Sequence, residues 1–179
     1  MSSTGQEHEV KFYISRLPEL ESRLKALGAK LVQPRLHEVN LRLDTLEREL
    51  ASSYRVLRLR RDSEARVTYK GPGIDQDGAR LRRELEFTVG DFDMAQALFE
   101  ALGYTVYLMY EKYRAVYAMD DVLVTLDEMP YGNFAEIEGP TGASIQAAAA
   151  RLGLDWESRI LESYTVLFDR AKQALGLKF

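Results

Sequence analysis

Cysteine is absent from the 179 residues, and histidine occurs only at His8 and His37. The first absence excludes disulfides, thiolate nucleophiles and Cys-ligated zinc. The second excludes a zinc centre built from several imidazoles. Any metal ion is therefore expected on oxygen ligands, which points to Mg²⁺, Mn²⁺ or Ca²⁺. No apolar run approaches the ~18 residues of a membrane-spanning helix. The opening residues Met1 to Gln6 have neither a basic nor an apolar stretch, so no signal peptide is expected and the cytoplasm is the simplest location. A strong charge of one sign is lacking too. Lys and Arg total 24 against 28 Asp and Glu, a net charge of −4, which gives no global reason to expect nucleic acid or a membrane as partner.

What is present suffices for a folded domain. Hydrophobic residues make up 46% and charged residues 29%, which excludes a disordered chain. A single domain is expected over 1–179, with strands over about 6–139 and helices over about 141–175. Alternation of period two predicts strands at Glu7–Ile14, Leu36–Leu43, Tyr54–Asp62, Arg66–Lys70, Arg80–Val89, Val122–Met129 and Asn133–Glu138. Tyr104–Met119 reads as one long bent strand or two short ones. Helices are predicted at Arg16–Leu27, Phe92–Leu102, Ala143–Leu152 and Ser158–Leu175, and Leu46–Ser53 as a short helical or turn segment. Gly71-Pro72-Gly73 and Asp77-Gly78 mark a loop. About eight strands in hairpin-like succession imply an α+β chain with a largely antiparallel sheet, and eight strands are enough to close a barrel.

The informative feature is which face of each strand carries charge. Glu7, Glu9 and Lys11 share a face, as do Arg58 and Arg60. Lys70 lies on the face of Thr68, and Arg82, Glu84 and Glu86 oppose Leu81, Leu85 and Phe87. Lys112 and Arg114 share a face. Asp127 opposes Leu126, and Glu136 and Glu138 oppose Ala135 and Ile137. A single strand of this kind is ordinarily a sheet with one wet face. Taken together, the charges are nearly all Glu, Arg and Lys, and they are sorted by strand. If helices cover the apolar faces of a closed sheet, the charged faces line a lumen. Such a lumen is costly unless its charges are paired or hold a ligand. Arginine forks suit phosphate oxygens, and carboxylates suit Mg²⁺ or Mn²⁺ bridging to those oxygens.

The series Glu7-x-Glu9-x-Lys11, Arg58-x-Arg60, Lys70-Gly71-Pro72, Arg83-Glu84-x-Glu86, Glu111-Lys112-x-Arg114, Asp127 and Gly132-x-Phe134-x-Glu136-x-Glu138 resembles the CYTH superfamily, the triphosphate tunnel metalloenzymes. Ser163-Tyr164 resembles the family's closing helix. The resemblance implies an eight-stranded antiparallel β-tunnel with helices outside, binding a triphosphate group with Mg²⁺ or Mn²⁺. It implies Glu7, Glu9, Asp127, Glu136 and Glu138 as metal ligands, direct or through water. It implies Lys11, Arg58, Arg60, Lys70, Arg82, Lys112 and Arg114 as phosphate contacts, with Lys112 orienting or activating the attacking water beside Glu9 and Glu136. Glu84 and Glu86 are read as lumen support, and Arg83 would exchange roles with Arg82 if the register slipped by one. His8 is expected to pack on the apolar face, and His37 is unassigned. The run Tyr104, Tyr107, Tyr110, Tyr113 and Tyr117 is expected to pack under helices.

Three functions fit these residues. A metal-dependent triphosphatase would act on tripolyphosphate, a nucleoside triphosphate or thiamine triphosphate. A class IV adenylate cyclase would use the same tunnel on ATP. A non-catalytic polyphosphate-binding module would need few of the carboxylates. Asp127-Glu128-Met129 lacks the His that follows the corresponding Asp in some cyclases of the family, which favours hydrolysis. The sequence leaves open whether the chain acts alone or as a homodimer.

Overall fold

The structure is a computed structural model that describes residues 3–174; at positions 3, 4, 6, 7 and 172–174 it describes the backbone alone. The elements run β1 (Ser3–Tyr13), α1 (Leu17–Ala26), β2 (Lys30–Asp44), α2 (Glu49–Ser52), β3 (Val56–Arg61), β4 (Ala65–Lys70), β5 (Ile74–Gln76), β6 (Ala79–Val89), α3 (Phe92–Ala101), β7 (Thr105–Met119), β8 (Val122–Met129), β9 (Gly132–Gly139), α4 (Gly142–Arg151) and α5 (Tyr164–Ala174). A short 3-10 turn at Trp156–Ser158 precedes α5.

The strands pair in the order β1-β9-β8-β7-β2-β3-β4-β6, and β6 pairs back onto β1. Eight strands thus close a ring, and the pairings among the described residues are all antiparallel. Beyond Glu9, the edge of β1 that faced β6 is taken by Ile160, which exchanges two backbone hydrogen bonds with Lys11 at 3.0 and 2.7 Å.

Closure turns one set of alternating side chains inward and the other outward. The outward set is apolar and needs cover. Val10, Phe12, Val124, Leu126, Ala135 and Ile137 pack beneath Leu20 and Leu24 of α1, Ile145 and Ala149 of α4, and Leu152 just past its end. On the other side, Leu41, Leu43, Leu57, Leu59 and Val67 pack beneath Leu50 of α2 and Phe92 of α3. Two apolar layers therefore lie outside the ring, and the charged face of nearly every strand is left inside. No described helix is long and apolar enough to cross a membrane.

Three elements differ from expectation. Asp77 and Gly78 both have positive φ, 54° and 74°, the geometry of a two-residue hairpin turn. The expected loop is therefore a hairpin, adding β5 beside β6. β2 starts at Lys30 rather than Leu36, because its register shifts at Gln33 and again before Leu36, around Pro34; proline breaks the ladder and the alternation together. The last helix begins at Tyr164 rather than Ser158, since Ile160 is held extended against Lys11. Its predicted end at Leu175 lies outside the described residues. Tyr104–Met119 resolves into one strand running from Thr105.

The outer layers make the ring's stability testable apart from its lumen. Ile137 is fully buried on β9 beneath α4, so Ile137→Ala should cost about 2–5 kcal/mol in urea unfolding. Leu102→Ala, at a side chain 65% exposed, should stay within about 0.5 kcal/mol. Equal effects from the two would contradict this division of the core.

Candidate active site: a charged tunnel

Inside the ring is a cavity of about 430 Å³. Among the described residues its wall carries nine cations, Lys11, Arg42, Arg58, Arg60, Arg66, Lys70, Arg82, Lys112 and Arg114, and five carboxylates, Glu9, Glu84, Glu86, Glu136 and Glu138. Most of these positions were expected on the lumen face. The backbone of Glu7 pairs with Arg82, but its side chain lies outside the described residues.

The strand register explains which charges meet. Lys11 stands opposite Glu136 across β1 and β9, and its Nζ lies 3.1 Å from Glu136 and 3.2 Å from Glu9. Arg82 donates to Glu9 at 2.5 Å. Lys70 lies 3.8 Å from Glu9 and 3.3 Å from Glu84. Burial would raise the Glu9 carboxyl, but Lys11, Lys70 and Arg82 together hold it well below the usual carboxylate range. On the facing wall Arg58 donates to Thr68 at 3.1 Å, and Thr68 donates to Glu86 at 2.8 Å. Arg58 and Arg60 lie 3.5 and 3.6 Å from Glu86. Burial raises the Glu86 carboxyl, and these two guanidinium groups more than offset that.

Asp127 stands apart from the other predicted metal ligands. It is fully buried and is not among the residues that line the cavity. Its partner across the β8–β9 hairpin is Phe134, while Thr125 faces Glu136 and Leu123 faces Glu138. Arg114 grips its carboxylate with two bonds of 2.6 and 2.5 Å. Lys112 adds a third at 3.1 Å and the Tyr164 hydroxyl a fourth at 2.6 Å. Burial raises its pKa, yet Arg114 and Lys112 hold it below the usual range. The same contact raises Tyr164 well above its ordinary value, through burial first and the Asp127 and Glu136 charges next. Asp127 is thus bound as the anchor of two cations and of the first residue of α5.

Arg82 is buried and lines the lumen. Arg83 is exposed on the other face, which settles the register between them. His37 lies outside the lumen, 3.0 Å from Glu111. Of the tyrosine run, Tyr117 is core, Tyr104 packs on Phe99, and Tyr107 and Tyr113 lie beneath Arg48 and Arg35. Two depart from the expected packing under helices: Tyr113 is exposed beneath Arg35 of β2, and Tyr110 lines the cavity. Burial raises its hydroxyl, but Arg58, Lys112 and Arg42 outweigh that and lower it.

Sequence reasoning also missed the inner face of β2, formed by Glu38, Asn40 and Arg42. Their alternation with Val39, Leu41 and Leu43 was the available signal. Glu38 is fully buried, 3.5 Å from Lys112 and 3.8 Å from Arg60. Asn40 is equally buried, and its amide makes no hydrogen bond to any described residue; nor do the Nε groups of Arg42 and Arg58. Buried donors of this kind usually have a partner, and a bound anion or water would supply one.

The carboxylates fit a hard divalent ion. Glu9 and Glu136 already converge on one cationic point, the Lys11 ammonium. Among the described residues no three acidic or imidazole groups form a cage of their own. Mg²⁺ is commonly held by one or two carboxylates together with substrate phosphates and water, and Glu9, Glu136 and Glu138 provide that kind of partial site.

Glu38 offers a pH test of the network. Burial raises its pKa, but Lys112, Arg114 and Arg60 lower it from 4.5 to about 2. A depressed folded-state pKa means that its charge stabilises the fold above about pH 4.5, and the contribution is lost as pH falls through about 2. Glu38→Gln is therefore expected to lower stability at pH 7 by up to about 3 kcal/mol, and by much less at pH 2.5. A pH-independent difference in denaturant unfolding would contradict the pairing.

Comparison with known proteins agrees with the geometry. The sequence pattern of the CYTH domain matches residues 5–165. A protein of Methanocaldococcus jannaschii, provisionally named an adenylate cyclase, is 29% identical over 134 residues, covering 74% of this chain and 75% of that protein. A Vibrio parahaemolyticus structure with the same provisional name superposes with a TM-score of 0.84 at 22% identity, covering 93% of this chain and 99% of that one. The structure of HpAC1 from Hippeastrum, described as a provisional adenylyl cyclase with a dominant triphosphatase activity, has a TM-score of 0.68 at 18% identity, covering 97% of each chain. The two structural likenesses show the fold, and the pattern match covers most of the chain: it belongs to the CYTH domain family.

Proposed function

We propose that the chain is a divalent-metal-dependent phosphohydrolase acting on a triphosphate group bound inside the tunnel. The observation that carries this reading is the composition of the cavity wall. Nine cations face five carboxylates, with buried donors left over at Asn40, Arg42 and Arg58. Convergent cations and leftover donors are what a polyanion needs, although Glu38, Asp62 and Asp127 behind the wall pair Arg60, Arg66, Lys112 and Arg114. The carboxylates beside Lys11 add what a metal ion needs, and such an ion would neutralise charge on the phosphate oxygens.

In this reading Lys11, Arg58, Arg60, Lys70, Arg82, Lys112 and Arg114 bind and orient phosphate oxygens. Glu9, Glu136 and Glu138, with Glu7, hold the metal, and Asp127 holds Lys112 and Arg114 in place. Glu84 and Glu86 keep Lys70, Arg58 and Arg60 aimed inward. A water oxygen attacks the terminal phosphorus in line, and the bond to the bridging oxygen breaks. Orthophosphate and the shortened diphosphate leave, and the water's proton passes to solvent. Lys112, between Glu38 and Asp127, is the lysine that would orient that water.

A second reading is a class IV adenylate cyclase, favoured by the provisional name of the M. jannaschii relative. There the ribose 3′-hydroxyl attacks the α-phosphorus of ATP and pyrophosphate leaves. A ³¹P NMR time course with Mg²⁺, Mn²⁺ or EDTA separates the two. Metal-dependent orthophosphate is expected from ATP or tripolyphosphate. Pyrophosphate and cyclic AMP from ATP, with tripolyphosphate untouched, would overturn the hydrolase reading. Glu9→Gln and Glu136→Gln should each lower turnover by at least about 100-fold; near-normal rates in both would remove the metal role assigned to them.

A further inference from the structure

Glu38 of β2 is fully buried and lies behind the residues that line the cavity, so it touches no substrate held in the tunnel. A charge in such a place is costly unless a partner needs it. Strand β7 runs between β2 and β8. Glu38 stands directly across from Lys112 on the β2 side, and Asp127 directly across from Arg114 on the β8 side. The Lys112 ammonium lies 3.5 Å from Glu38 and 3.1 Å from Asp127, and among the described residues no other carboxylate pairs with it.

The two carboxylates are not equivalent. Asp127 is already engaged by two bonds from Arg114 and one from the Tyr164 hydroxyl. Neither oxygen of Glu38 accepts a hydrogen bond from any described residue. Asn40, the next inward residue of β2, gives it none, since its own amide is unpaired. The other cation near Glu38 is Arg60, farther off at 3.8 Å, and Arg60 also has Asp62 and Glu86 at 3.5 and 3.6 Å. Lys112 is therefore the group that depends on Glu38. One carboxylate draws its ammonium toward β2 and the other toward β8.

Resting on the reading that Lys112 orients the attacking water, we propose that Glu38 is a positioning residue of the hydrolysis, acting only through the place it gives the Lys112 ammonium. Without Glu38, Asp127 alone draws that ammonium toward β8 and away from the water it orients. A displacement of about 1 Å in an orienting group can cost on the order of 100-fold in rate. Phosphate contacts are spread over the other cations of the wall, so the loss falls on kcat rather than KM.

The test is a double-mutant cycle in kcat and KM, with ATP or tripolyphosphate as substrate, on Glu38→Gln, Lys112→Gln and the pair. Glu38→Gln is expected to lower kcat at least about ten-fold and to leave KM within about three-fold. Glu38→Asp, which keeps the charge, should recover at least about three-fold of that loss. In Lys112→Gln, adding Glu38→Gln should lower kcat by less than about two-fold more. Circular dichroism melts set an assay temperature at which every variant is folded. Near-normal kcat in Glu38→Gln, or the same loss with and without Lys112, would overturn the proposal. Crystal structures of the wild type and Glu38→Gln read the ammonium directly: the proposal expects it shifted toward Asp127, and an unmoved ammonium would overturn it. If the wild type turns nothing over, the hydrolase reading fails by itself. Those two structures then decide the hold of Glu38 on Lys112 separately, as they do if Lys112→Gln is too slow to measure.

Discussion

A buried carboxylate with two cations on it governs this tunnel. Asp127 has no exposed surface, and Arg114, Lys112 and Tyr164 all bond it. Without that anion, two cations on adjacent inward positions of β7 would repel each other and tilt out of the wall. With it, both are fixed and α5 is fastened across one end. The remainder of the lumen follows the same rule at lower burial: Glu9 gathers Lys11, Lys70 and Arg82, and Glu86 gathers Arg58 and Arg60.

Such an interior is a poor way to build stability. Desolvated charges at best repay their own burial, and the apolar packing lies outside the ring under α1, α2, α3 and α4. The division separates tasks. The outer layers hold the barrel closed, and the inner face is then available for chemistry that a packed core would forbid. A multiply charged anion would stabilise the lumen's cations and its unpaired donors.

Much of this was legible in the chain. Alternation placed Glu9, Lys11, Arg58, Arg60, Lys70, Lys112, Arg114 and Glu136 on one face of their strands, the succession of hairpins implied an antiparallel sheet with enough strands to close, and the resemblance implied the closed tunnel. The failures have local causes. The predicted strand Leu36–Leu43 already held the alternation of Glu38, Asn40 and Arg42 with Val39, Leu41 and Leu43, but that inner face was not weighed. Only the start of β2, around Pro34, was hidden by its register shifts. Tyr110 has the composition of a packing residue, and its side is set by its register on β7. Asp127 belongs to the charged face, but only tertiary contacts show that four hydrogen bonds saturate it. Ser163-Tyr164 was marked only through the resemblance to a closing helix, since no periodicity on α5 announces the contact of Tyr164 with Asp127 of β8.

If the ring encloses a site for a triphosphate and a divalent ion, a crystal structure with a non-hydrolysable triphosphate analogue and Mn²⁺, whose anomalous signal locates the metal, will show it. Phosphates are expected along the Arg58, Arg60, Lys70 and Arg114 wall, with an anomalous peak within ligand distance of Glu9 or Glu136. An analogue bound only on the outer surface, or a manganese peak away from those carboxylates, would contradict it.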